Sequence, residues 1–235
     1  MSNFKVFNGF GIKPSKSYTA AGWDFYVPNV IDEEKKKVAY ESFKKSYKKT
    51  DRELNIILNR LEKELTLIGQ EDAFKTHNIN ILHLFLSLDG AIMRTSQNKV
   101  DTFVHYYLTW SDEGLPGVKL HCNDHIFINS GIKTVLDHDT AGVFFNKSGR
   151  GNKGFDVRAQ VVDEDYTGYV HLSKAYTKDN TTDGIVYCGD KLTQMLLLPI
   201  IHKDECEELD EATYNKTMEG SQRGDNGFGS TDNKR

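Results

Sequence analysis

Hydrophobic and polar positions change period along this chain, and each change predicts a change of element. Up to about residue 30, Phe4, Val6 and Phe10 alternate weakly with polar neighbours, and Pro14-Ser15 marks a break. That reads as extended segments. From Ile31 the spacing lengthens. Asp32 to Lys49 is rich in helix formers, with Val38, Phe43 and Tyr47 roughly a turn apart. Thr50-Asp51-Arg52-Glu53 has the spacing of a capping box. Leu54, Ile57, Leu58, Leu61, Leu65 and Ile68 follow at three- and four-residue steps. They predict an amphipathic helix of about 15 residues, with Gly69 as its stop. Ile79 to Ile92, with Leu82, Phe85, Leu86 and Leu88, predicts a buried helix. Val100 to Trp110 fits either period, and its β-branched and aromatic residues favour strand. Gly114-Leu115-Pro116-Gly117 is a loop.

From Ile126 onward the pattern is short strands divided by Gly, Asn, Asp and Ser turns, which suggests a sandwich or barrel. In its middle, Phe155, Val157, Ala159 and Val161 alternate with Asp156, Arg158 and Gln160. The polar run Asp163–Gly168 can turn the chain, and Tyr169, Val170 and Leu172 resume strand composition. The expectation is a β-hairpin whose tip carries Asp163, Asp165 and Tyr166. Such a tip is not diagnostic alone, because Asp bonds its own backbone in turns. Asp24, between the aromatics Trp23 and Phe25, is either a turn former or a carboxylate held beside a site. The stretch Lys203–Glu211 reads as an acidic linker, and the tail from Gly220 has too little apolar surface to hold itself in place.

Composition narrows the classes. A net charge of -4 over 235 residues argues against a dedicated nucleic-acid binder. No apolar run nears the roughly 20 residues that cross a bilayer, and the first residues lack the apolar core of a signal peptide. Cys122, Cys188 and Cys206 show no metal-type pairing, so reduced thiols in a cytoplasm are expected. The lysines of the first helix read as a solvated face before a docking surface. His121, Cys122, Asp124 and His125 include ligand types, but no second cluster accompanies them, and exposed or locally bonded histidines are the better reading.

Five segments stand in one order. They are Ala21-Gly22-Trp23-Asp24, Asn146-Lys147-Ser148-Gly149, Val162 through Gly168, Gly189 through Gln194, and Arg223 through Thr231. This set resembles the motifs of the trimeric dUTPase family, whose usual forms are AGYDL, PRSGL, G-[VI]-ID-x-DY-x-G, GDR-[IL]-AQ and RG-x-GGFGSTG. The resemblance implies a distorted, mainly β barrel of the dUTPase type from residues 1–30 plus 118–235, with a phosphate-binding tail at 220–235. Residues 31–117 then form an inserted, mainly helical subdomain.

The resemblance also implies chemistry: Mg²⁺-assisted hydrolysis of dUTP to dUMP and diphosphate. Asp163 activates the water, and Tyr166 packs on the deoxyribose. Lys147, Ser148, Gly149, Gln194 and Arg223 bind phosphates. Gly229, Ser230 and Thr231 wrap phosphate oxygens, and Phe228 stacks on the base. Asp24 holds a Mg²⁺ through water, together with substrate phosphates. A homotrimer with shared sites is implied, with no membrane or nucleic-acid partner; an unknown protein partner at the insertion is left open. Lys147 stands in place of the usual Arg, giving a point charge where a fork is common. Asn146 replaces the usual Pro. The rival readings are a dCTP deaminase-like enzyme on the same fold and a nucleotide-sensing regulator acting through the insertion.

Overall fold

The computed structural model describes residues 4–88, 98–178, 184–201 and 207–220. Every strand pairing among them is antiparallel. The largest sheet has the order β2 (Trp23–Tyr26), β12 (Lys191–Pro199), β7 (Thr140–Asn146), β9 (Val161–Val162). A second runs β5 (His125–Asn129), β10 (His171–Tyr176), β8 (Phe155–Val157). A third joins β11 (Ile185–Tyr187), β4 (Pro116–Lys119) and β3 (Leu108–Trp110), and β1 (Lys5–Asn8) pairs with β6 (Ile132–Val135). The fold is the mainly β, antiparallel one expected, with helices between β2 and β3.

Those helices begin where their caps say. Asp32 caps α1 (Glu33–Ser46), accepting the Lys35 N–H at 2.9 Å. Thr50 and Glu53 close both halves of the capping box on α2 (Asp51–Leu67). Gly69 follows at φ +74°, a left-handed stop that suits glycine. α3 (Glu71–Ser87) buries Ile79, Ile81, Leu82, Leu84 and Phe85, residues all round its circumference, so neighbours cover it on every side. The last part of that expected helix, residues 89–92, lies outside the described residues. The strand expected over 100–110 is corrected. α4 (Lys99–Thr102) runs into a π-helical turn at Phe103–Tyr107, and strand starts only at Leu108. Val100, Phe103, Val104 and Tyr107 recur at helical spacing and are all buried, and that burial outweighs their β propensity.

Buried polar contacts dock the helices on the strands. Asn80 Oδ1 accepts the Val30 N–H at 2.8 Å, and its Nδ2 donates to the Val30 carbonyl at 3.2 Å, so α3 satisfies the backbone just beyond β2. Asn129 on β5 donates to Ser42 and Ser46 of α1, each at 2.8 Å. The Tyr47 O–H donates to the Phe127 carbonyl at 3.0 Å. Phe10 meets Phe43 edge-on at 5.7 Å, and Phe43 stacks on His83 at 4.5 Å. Burial, with neighbouring His171, lowers the His83 pKa to about 3, so this imidazole is neutral.

All of this lies in one compact unit, residues 1–200. In the second unit, residues 201–235, the described structure is an exposed helix α6 (Glu211–Thr217), capped by Asp210. A linker was expected up to residue 211, and the helix begins there.

Candidate active site

Strand register gathers the first cluster. Gln194 on β12 stands between Asp24 on β2 and Phe145 on β7. A bulge between Lys191 and Thr193 re-aims the start of β12. Asp24 Oδ1 accepts from Lys147 Nζ at 2.5 Å, and Oδ2 faces Lys191 Nζ at 3.1 Å. Partial burial raises the Asp24 pKa, but the Lys147 and Lys191 hydrogen bonds outweigh it, and the carboxyl is held below its usual value. A Cβ on Gly22 would lie 2.9 Å from the Met195 carbonyl, so the close approach of β2 to β12 needs glycine there.

Lys147 is the N-cap of a short helix, α5 (Ser148–Asn152), which puts Ser148 and Gly149 in its first turn. A Cβ on Gly149 would meet nothing within 4 Å, so this backbone faces open space. Arg150 ties α5 to the Gly189–Gln194 segment, with its guanidinium 2.6 Å from Asp190 and donating to the Ile185 carbonyl at 3.0 Å. Gln194 Nε2 donates to the Asn146 carbonyl at 3.1 Å.

Lys174 underlies this cluster. It is fully buried on β10, and its ammonium donates to Asn146 Oδ1. Burial lowers its pKa to about 8, against the pull of Asp156. Alongside is a cleft of about 700 Å³ lined by Asn146, Asp156, Arg158, Gln160, Gln194 and Leu196 among others.

The second cluster is the turn after β9. The Tyr166 N–H donates to the Asp163 carbonyl at 3.2 Å, and the Tyr166 O–H to the Tyr169 carbonyl at 3.0 Å. A Cβ on Gly168 would sit 2.4 Å from that hydroxyl, so glycine lets the ring fold back. Glu164 pins the turn, accepting the Asp139 N–H at 2.6 Å and pairing with His138 at 2.9 Å. Asp163 and Tyr166 are exposed.

The simple hairpin expected here is corrected. The chain breaks at Arg158–Gln160, so β8 pairs with β10 in one sheet while β9 pairs with β7 in another. The alternation does not survive the crossing: Phe155 is buried, but Val161 is 64% exposed and Val162 takes the inward position. Changing sheets resets which parity faces the core.

The structure therefore brings together Asp24, Lys147, Ser148, Gly149 and Gln194, and leaves Asp163 and Tyr166 apart. Gly142 pairs with Val162, so Asp163 lies beside Ala141, and Asn146 is five residues further along β7. At ~3.4 Å per residue that is roughly 17 Å. Arg223, Phe228, Gly229, Ser230 and Thr231 lie outside the described residues. Sequence reasoning did not single out Lys191, Arg150, Glu164 or Lys174. Lys191 had a signal, standing where the family form GDR has its Arg. Lys174 had none.

Fold and site define a class: antiparallel β with an anionic turn and a lysine-rich strand end that suits phosphate. The dUTPase family model matches residues 117–232. The match spans just under half of the chain. It is 28% identical over 155 residues to the Gag-Pro polyprotein of Mason-Pfizer monkey virus, covering 62% of this chain; the chain spans only 15% of that relative's length. Among solved structures, the dUTPase of Staphylococcus bacteriophage 80alpha, as a mutant with dUpNHpp, is similar in fold. Its TM-score is 0.51 at 11% identity, covering 98% of each chain. The native dUTPase of EIAV is 22% identical, covering 46% of this chain and 92% of its own, with a TM-score of 0.33.

Proposed function

We propose that this protein hydrolyses dUTP to dUMP and diphosphate. The observation that carries the reading is the joint placement of Asp24, Lys147, Ser148, Gly149, Lys191 and Gln194 at one strand end, within a chain that the dUTPase family model matches over residues 117–232. Two ammonium groups and neutral amide donors suit a triphosphate. On its arrival Lys147 and Lys191 would exchange the Asp24 carboxylate for phosphate oxygens.

The Asp163 carboxylate takes a proton from a water as its oxygen attacks the α-phosphorus. The bond from that phosphorus to the bridging oxygen breaks, and diphosphate leaves. Tyr166 packs on the deoxyribose. The tail residues Arg223, Phe228, Gly229, Ser230 and Thr231 close over phosphates and base. The roughly 17 Å between Asp163 and the lysine end supports a site completed by other copies of the chain, a homotrimer with shared sites, because one α-phosphorus cannot touch both groups of one copy.

Once Lys147 and Lys191 have moved to the phosphates, the freed Asp24 carboxylate would hold a hydrated Mg²⁺ together with substrate phosphate oxygens. Mg²⁺ enters with the substrate triphosphate, whose own oxygens suit it. Replacing Asp163 by Asn tests the catalytic assignment. The expected outcome is an unchanged melting temperature, because the residue is exposed, and a fall in turnover of about 10²–10⁴-fold. Turnover retained in Asp163→Asn removes it as the base.

A further inference from the structure

A cleft of about 660 Å³ separates helix α1 from the turn that carries Tyr166. That volume lies within the roughly 300–1,000 Å³ usual for small-ligand sites. One wall is helical. Lys37, Glu41 and Lys45 stand four residues apart and line it as a single row. The facing wall carries Tyr166 and Tyr169, with Lys133 of β6 at its edge.

The helical wall is held to the strands by hydrogen bonds, two of them at Ser42 and Ser46, which also line the cleft. Asn129 donates to Ser42 and Ser46 in the neighbouring row of α1, and Tyr47 donates to the Phe127 carbonyl. Directional bonds of this kind set the rotation and height of a helix, which apolar packing alone leaves loose. The row facing Tyr166 is therefore preorganised.

Its charge has a sign. Lys37 is taken by Glu34 at 2.8 Å, and the Glu41 carboxylate by Lys44 at 3.0 Å. Lys45 has no acidic partner among the described residues. Lys133 Nζ lies 5.1 Å over the Tyr169 ring, a cation–π contact with no carboxylate in it. Two ammonium groups free of carboxylates and two aromatic rings thus border one volume. A ligand that satisfies both is anionic with a flat apolar part, which is the chemistry of a nucleotide.

We propose that α1 forms a wall of the site for the nucleoside and α-phosphate end of the substrate, with Lys45 and Lys133 as binding residues outside the five motifs. The inference rests on the dUTP reading through Tyr166, which belongs to both. It gives the helical segment a direct part in substrate binding.

The test is steady-state turnover of dUTP by Lys45→Ala, Lys45→Glu and Lys45→Arg, with Lys63→Glu on α2 as a charge-matched control. The expected result is a KM raised about tenfold in Lys45→Ala and further in Lys45→Glu, with kcat within about twofold, recovery in Lys45→Arg and no change in Lys63→Glu. An unchanged KM in Lys45→Glu overturns the proposal. Should the wild-type chain fail to hydrolyse dUTP, the catalytic reading falls and the cleft is judged by calorimetric titration with dUpNHpp. Binding to the wild type that is lost in Lys45→Glu supports it; equal binding, or none to the wild type, overturns it.

Discussion

Lysine is seldom buried without a partner, and Lys174 shows what its burial does for a site. Its ammonium holds Asn146, whose carbonyl takes the Gln194 amide and whose next residue is Lys147. The buried charge is costly, which lowers the Lys174 pKa to about 8 from an ordinary value of 10.5. Between these two values the unfolded chain binds the proton and the folded chain does not. The contribution of Lys174 to stability therefore rises with pH from about 8 to 10.5 and is flat below 8. Chemical denaturation of wild type and Lys174→Met across that range checks the sign; the difference between them is expected to grow in favour of wild type. A difference independent of pH contradicts it. At this scale the sequence was legible where chemistry sits in short motifs, as in Lys147-Ser148-Gly149. The Lys147–Asp24 pair was not, because it joins residues 123 apart through the register of β2, β12 and β7. Lys174 was hidden because in His171-Leu172-Ser173-Lys174 it reads as a polar position of a half-buried strand. Both faces of β10 are in fact covered.

The helices were the easiest elements to read. The Thr50–Glu53 capping box and the Leu54–Leu61–Leu65 stripe specify α2 locally, and the structure keeps both. Thr50→Ala should cost about 1 kcal/mol in a denaturation experiment. The docking of these helices was not legible, since it depends on single buried amides. Asn80, 1% exposed, satisfies both backbone groups of Val30. Asn80→Leu would leave a buried N–H and C=O unpaired, at about 1–3 kcal/mol each before packing gains. A clear fall in the midpoint of urea unfolding is the expected result; an unchanged midpoint would mean that water replaces the amide. The segment 155–162 was misread for a related reason. Its alternation predicts one strand, but two sheets compete for it, and the change of partner falls inside the pattern.

At the scale of the molecule, the candidate residues divide between a lysine end and an acidic turn about 17 Å apart along β7. If several copies complete each site, two defective chains can repair one another. Lys147→Ala and Asp163→Asn, each nearly inactive alone, should regain activity when unfolded and refolded together. No recovery in the mixture argues for sites within single copies. Truncation before Arg223 should leave a folded chain with little activity, and full activity would exclude the tail as the phosphate cover. The most direct measurement is diphosphate release from dUTP, dCTP, dTTP and UTP, each with Mg²⁺ and with EDTA. The account predicts fast, Mg²⁺-stimulated release from dUTP alone. Binding of dUTP without release, or ammonia or diphosphate from dCTP, would contradict it.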